Sequence, residues 1–242
     1  MSSKPSGTPA DRPTWFIRLT DAVGRTIVRC LARTDISGLE HARGLEGPLI
    51  VAANHASNAD GVMVACWITP ALGRRIYLLG KREALDWPLL GWGLAQNAVI
   101  GIRRGAADLE AFRAARAILD EGHVLAIFPE GTRSADGTLG EAKDGLAILA
   151  LRTGARILPV GLGGTHRFWP RGRGLQFGRR VRMRVGEPFL LEAIPAGTDR
   201  REAQRRATRE IMNRIAALLP PDQRGAWTDT GRDGPGGPPD PA

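Results

Sequence analysis

Two cysteines and one tyrosine in 242 residues leave little material for redox chemistry or a disulfide framework. Cys30 and Cys66 are far apart and form no CxxC pair, so a thiolate zinc site is not expected either. Cys66 lies in the apolar run VMVACWI and reads as a buried, inert thiol. Nowhere do about 18–20 apolar residues follow one another unbroken, so no transmembrane helix is expected. The opening dozen residues, MSSKPSGTPADR, lack the apolar centre of a secretory signal. There is no HExxH for a zinc hydrolase and no G-x-S-x-G for a serine nucleophile. Lysine is nearly missing: Lys4, Lys81 and Lys143 are its whole complement.

What replaces lysine is arginine. Lys+Arg total 34 against 25 Asp+Glu, a net charge of +9. Such a surface favours anionic partners: nucleic acid, lipid headgroups, phosphorylated substrates or an acidic carrier protein. It does not choose among them. The length and the 43% apolar content suit one domain with a full core.

Residues 1–13 read as disordered, and 14–220 as one domain. Trp15, Phe16, Leu19, Val23, Ile27 and Leu31 recur at three- and four-residue steps among arginines, the pattern of a basic amphipathic helix. Strands are expected in 34–41, 47–54, 74–81, 97–105, 123–128, 155–165 and 179–189. Helices are expected near 60–69, stopped by Pro70, and over 108–122, 143–154 and 198–220. Beyond Pro220 the Pro/Gly-rich tail, 221–242, reads as disordered. Alternating strands and helices predict an α/β fold with a mostly parallel or mixed central sheet, flanked by helices and preceded by the amphipathic one.

The segment NHASNAD follows the buried strand PLIVAA. His55 and Asp60 are five residues apart and would diverge on a straight helix, so they meet only if the chain bends between them. A carboxylate on one imidazole nitrogen fixes the tautomer and leaves the other nitrogen to accept a proton. Ser57 suits turn hydrogen bonding or capping. Downstream, FPEGTRS (128–134) ends a strand and presents Glu130, Gly131, Thr132 and Arg133. A guanidinium there suits a phosphate, because its planar fork donates two hydrogen bonds at once. IRRG (102–105) sets Arg103 and Arg104 after another apolar strand. Each piece alone is as readily a surface turn or a solvated charge.

Taken together, these pieces resemble the glycerolipid acyltransferases of the 1-acylglycerol-3-phosphate type. N-H-x4-D matches Asn54, His55 and Asp60; FPEGTRS is matched in full; ILPVGL (157–162) fits the family's Val/Ile-Pro-Val strand. GKREALDWPLLGWGL (80–94) resembles the stretch found between the first two motifs, and the likeness spans roughly 15–190. The second motif departs: AVIGIRRG has no leading Gly, no Phe, and Arg103 where Asp is common. Arg104 aligns with the family arginine when Gly105 takes its usual place; Arg103 is the alternative. That departure bears on the acceptor's headgroup.

The resemblance implies an O-acyltransferase in which His55 is general base on the acceptor hydroxyl and Asp60 orients it. Arg104 (or Arg103) and Arg133 would grip the acceptor phosphate, with Glu130 holding the site's geometry or a hydroxyl, and backbone N–H groups near Gly131 steadying the oxyanion. It implies a lysophospholipid acceptor, an acyl-CoA or acyl carrier protein donor, and neither metal nor tightly bound cofactor. Location is expected on the cytoplasmic face of a membrane, held peripherally. Another lysolipid or a lyso-aminolipid is the alternative acceptor. A non-catalytic protein binding anionic membrane or nucleic acid is the alternative of another kind. Seven arginines at 167, 171, 173, 179, 180, 182 and 184, with no acid among them, would suit lipid, CoA phosphates or a carrier protein. No nucleic-acid motif accompanies them, which ranks that partner last.

Overall fold

The computed structural model describes residues 11–81, 99–102, 107–192, 194 and 199–227. Helix α1 (Trp15–Leu31) leads into strand β1 (Arg33–Ser37) and a 3-10 turn. Then come β2 (Leu49–Ala53), α2 (Ala59–Leu72), β3 (Ile76–Lys81), β4 (Val99–Ile102) and α3 (Ala107–Asp120). β5 (Val124–Ile127), α4 (Gly145–Thr153), β6 (Arg156–Gly163), the single turn α5 (Thr165–Phe168), β7 (Arg180–Val185) and α6 (Arg200–Ala217) complete the order. Seven strands form one mixed sheet in the order β1-β7-β6-β2-β5-β3-β4. Every pairing is parallel except β6 with β7. The α/β architecture expected from the sequence is the one observed.

β2 is buried along its whole length because both faces of the sheet are covered. Leu49, Val51 and Ala53 face the layer of α1 and α2, where Met63, Val64 and Trp67 pack. Ile50 and Ala52 face the layer of α3, α4 and α6, with Leu119, Leu146 and Ile211. The chain leaves β2 through α2 on one face and reaches β3, beyond β5. It leaves β5 through α4 on the other face and reaches β6, beyond β2. Two neighbouring parallel strands that send their connections in opposite directions open a crevice beyond their carboxyl ends. NHASNAD and FPEGTRS are the loops that fill it.

Three expectations need correction. Pro70 does not stop α2; it lies inside a helix that runs on to Leu72. A proline there cannot donate to the carbonyl four residues back, which is that of Cys66. Arg25 of α1 supplies the missing donor, its Nη1 reaching the Cys66 carbonyl oxygen at 2.7 Å. Next, the tail does not leave the fold at Pro220. Gln223 and Trp227 are buried, and the Trp227 indole N–H donates to the Gly140 carbonyl at 3.1 Å. Finally, Asp11 belongs to the folded body. It is buried and binds Arg74 Nε at 2.5 Å, while Arg74 also donates to the carbonyls of Leu45, Gly47 and Gly122.

Candidate active site

β2 and β5 run side by side with Ala52 opposite Ile127. Continued outward, that register brings His55 level with Glu130. The His55 N–H donates to Glu130 Oε1 at 2.6 Å, and the Gly140 N–H donates to Glu130 Oε2 at 3.0 Å. The Ser134 N–H in turn donates to the His55 carbonyl at 2.8 Å. Glu130 therefore joins two loops through their backbones, and both its oxygens are occupied. It is buried, and burial lifts its carboxyl above the usual range against the two N–H bonds that lower it. Of the two roles considered for Glu130, this geometry fits the structural one.

The bend that His55 and Asp60 require is present. His55 Nδ1 lies 2.9 Å from Asp60 Oδ2. The same oxygen accepts from the N–H groups of Ala56 at 2.7 Å and Ser57 at 2.6 Å. Asp60 is thus the hub of the turn, and its place in the first turn of α2 suits an anion. Its side chain is fully buried, whereas that of His55 is 23% exposed. With Nδ1 held inside, Nε2 is the nitrogen left to face a substrate. The ring is clamped by Phe128, stacked at 4.1 Å between centroids.

Asn54, matched in the sequence only as part of the motif, and Ser57, expected to serve the turn, support the pair from either side. Asn54 Oδ1 accepts from the Leu162 N–H at 2.7 Å and its Nδ2 donates to the Leu162 carbonyl at 3.0 Å. It extends the β2–β6 ladder with a side chain, so the strand ends rigidly one residue before His55. Ser57 Oγ donates to the Trp169 carbonyl at 2.9 Å and accepts from the Ala59 N–H at 3.0 Å. An asparagine ending an apolar strand was the available signal for the first. The bond from the Ala59 N–H is the turn bonding expected of Ser57, whereas its contact with Trp169, 112 positions away, had no local signal.

Arg133 reaches the same mouth, where its Nη1 donates to Asn58 Oδ1. Thr132 is exposed beside it. Gly131 adopts φ +67°, as the tight turn after Pro129 demands. Its N–H is spent on the Phe128 carbonyl at 3.0 Å and cannot also bind an oxyanion. Arg103 and Arg104 lie outside the described residues, as does most of 80–94. Among the described residues, no group of three or more His, Cys, Asp or Glu is placed to hold a metal ion.

The family model for acyltransferases matches residues 33–163, more than half of the chain and all of this site except its Trp169 contact. The chain belongs to the acyltransferase family. It is 30% identical to a chloroplastic 1-acyl-sn-glycerol-3-phosphate acyltransferase of Brassica napus, over 58% of this chain and 40% of that protein. It is also 30% identical to a lyso-ornithine lipid O-acyltransferase of Pseudomonas aeruginosa, over 73% of this chain and 71% of that protein. The crystal structure of the 1-acyl-sn-glycerophosphate acyltransferase PlsC of Thermotoga maritima superposes with a TM-score of 0.66 at 26% identity. That alignment covers 81% of this chain and 76% of PlsC. The chain spans about half or less of the length of the plant relatives it matches.

Proposed function

We propose that this acyltransferase moves a fatty acyl group from a thioester to the hydroxyl of a lysophospholipid, foremost 1-acylglycerol-3-phosphate. The observation that carries this reading is the His55–Asp60 pair, held at 2.9 Å with the outer imidazole nitrogen open. His55 Nε2 takes the acceptor's hydroxyl proton as the oxygen attacks the thioester carbonyl, and Asp60 stabilises the imidazolium that forms. The tetrahedral intermediate then expels the thiolate, which the imidazolium can protonate. No protein nucleophile is needed. Arg133, with Arg104 or Arg103, binds the acceptor phosphate. Since the Gly131 N–H is engaged, the N–H groups of Thr132 and Arg133, which carry no hydrogen bond among the described residues, are the better oxyanion donors.

A second acceptor class has its own support. The second sequence motif departs from the glycerophosphate pattern, and the Pseudomonas relative is named for a lyso-ornithine lipid. We further propose a peripheral site of action on the cytoplasmic face of an anionic membrane. Support comes from the basic charge and from the apolar stripe on α1. No described helix is long and apolar enough to cross a membrane.

The test is thiol release from long-chain acyl-CoA, and then from acyl carrier protein, with lysophosphatidic acid or lyso-ornithine lipid as acceptor. Acceptor-dependent release by the wild type that disappears in His55→Ala is the expected result. Release that persists in His55→Ala would remove the general-base role. Preference for lyso-ornithine lipid would move the protein to the second acceptor class.

A further inference from the structure

The arginine-rich segment is not absorbed by the site around His55. Four of its arginines, Arg167, Arg179, Arg180 and Arg182, line one open cleft of about 420 Å³ between the end of β6, the start of β7 and the 220–223 turn. Among the described residues the only acid on its walls is Asp222, whose Oδ2 stands 3.8 Å from Arg167 Nη2. Arg182 Nε is 3.8 Å from Asp35 Oδ2 and makes no hydrogen bond; the shorter contact to Asp35, at 2.7 Å, belongs to Arg184. Positive charge in this cleft is therefore largely uncompensated. Gln223 adds a donor. Its Oε1 accepts from the Gly164 N–H at 2.9 Å, and its amide NH2 makes no hydrogen bond among the described residues.

The cleft is at the reactive end of the sheet. Gly163 on its wall follows Leu162, the residue that Asn54 grips beside His55. β7 is antiparallel to β6, with Gly163 opposite Arg182, so its first arginines emerge at that same end. β7 stands two strands from β2, an offset of about 10 Å at the usual strand spacing. A coenzyme A thioester separates its reacting carbonyl from its phosphates by a long, flexible pantetheine arm, which can span such an offset.

We propose that this cleft binds the adenosine 3′,5′-bisphosphate end of a coenzyme A donor. The proposal rests on the acyltransfer reading above and adds where the donor is held and by what. Guanidinium forks suit phosphate oxygens and stack on a purine. A concave site of this volume fits a nucleotide, whereas a carrier protein needs a broad, flatter face.

The experiment titrates adenosine 3′,5′-bisphosphate into the full-length protein and into Arg167→Gln/Arg180→Gln. Arg171→Gln/Arg173→Gln is the control, two exposed arginines of the same segment outside the cleft. The wild type and the control should bind, and the cleft variant should lose about a hundredfold in affinity, roughly tenfold per charged hydrogen-bonding partner. In turnover, its KM for acyl-CoA should rise in step while kcat and the acceptor KM stay within about twofold of wild type. Thermal melting checks that the variant is folded. Equal nucleotide binding by wild type and cleft variant, or none by either, overturns the proposal. So does a KM increase confined to an acyl carrier protein donor. Binding needs no turnover, so the two readings fail separately. Nucleotide binding lost in the variant supports the cleft even if no acceptor is acylated, and acyl-CoA turnover indifferent to the variant overturns the cleft while the acyltransferase stands.

Discussion

At the scale of single residues, the site is a set of backbone tethers around one free nitrogen. Asp60 holds His55 by its ring and also holds the next two N–H groups. In Asp60→Asn the amide oxygen can still accept from the backbone, but the imidazole loses its anionic partner. The turn should survive and kcat should fall by roughly 10²–10⁴-fold, the usual worth of a general base, with the acceptor KM little changed. A KM effect alone would make Asp60 a binding residue instead. Glu130→Gln probes the other tether. One of the two N–H groups it serves, from His55 and Gly140, would then face an NH2. Since burial already raises the Glu130 carboxyl, neutralising it removes a desolvation cost that offsets part of the lost bond. The melting temperature should therefore move little while kcat drops about tenfold or more, through the displaced His55 backbone. An unfolded Glu130→Gln, or one with full activity, would contradict this.

At the scale of elements, the α1–α2 pair shows what a sequence conceals. α1 was legible from its periodicity alone; Thr14, which caps it, is seen only in the structure. The persistence of α2 through Pro70 was not, because the donor that makes it tolerable is Arg25, 41 residues away from Cys66. The same limit applies in the site. His55 and Asp60 are local and could be named; Glu130's backbone contacts, 75 and 10 residues distant, could not be told from substrate binding. The alternation of strands and helices gave the fold class, but tail burial through Trp227 needed the Gly140 carbonyl to be in place. Asp21 supplies the prediction at this scale. It is buried between the helices, next to Arg25, and burial raises its carboxyl from 3.8 to about 6. Between those two values the folded state holds more protons than the unfolded one, so Asp21 makes stability fall as pH rises through that window. Above about 6 the full cost persists. Asp21→Asn should be more stable than wild type at pH 7 by about 1–3 kcal/mol, with the advantage fading below pH 4. Urea titrations at both pH values would check it; an equal or lower stability at pH 7 would show that Arg25 offsets the burial in full.

At the scale of the molecule, the apolar surface that α1 does not bury is ordered. Ile17, Asp21 and Val28 face inward, while Trp15, Leu19, Val23 and Ile27 are 75%, 52%, 48% and 51% exposed. Steps of four residues advance about 40° around a helix, so these four form one stripe within about a third of its circumference. Exposed Arg18 and Arg29 flank it on one side. A bilayer boundary accepts both the apolar and the basic parts of such a stripe, and the peripheral site proposed above would use it. Burying the stripe in the interface should contribute several kcal/mol, at about 25 cal/mol per Å² of apolar area. Leu19→Glu/Val23→Glu should therefore lower partitioning onto phosphatidylglycerol vesicles by at least about a hundredfold. Both side chains point away from the core, so melting should be unchanged. Arg18→Ala/Arg29→Ala should weaken binding less and flatten its salt dependence, because screening acts on the charges and not on the apolar stripe. Wild-type binding that vanishes at high salt would assign the membrane contact to the arginines alone, and binding untouched by Leu19→Glu/Val23→Glu would move it off α1 altogether.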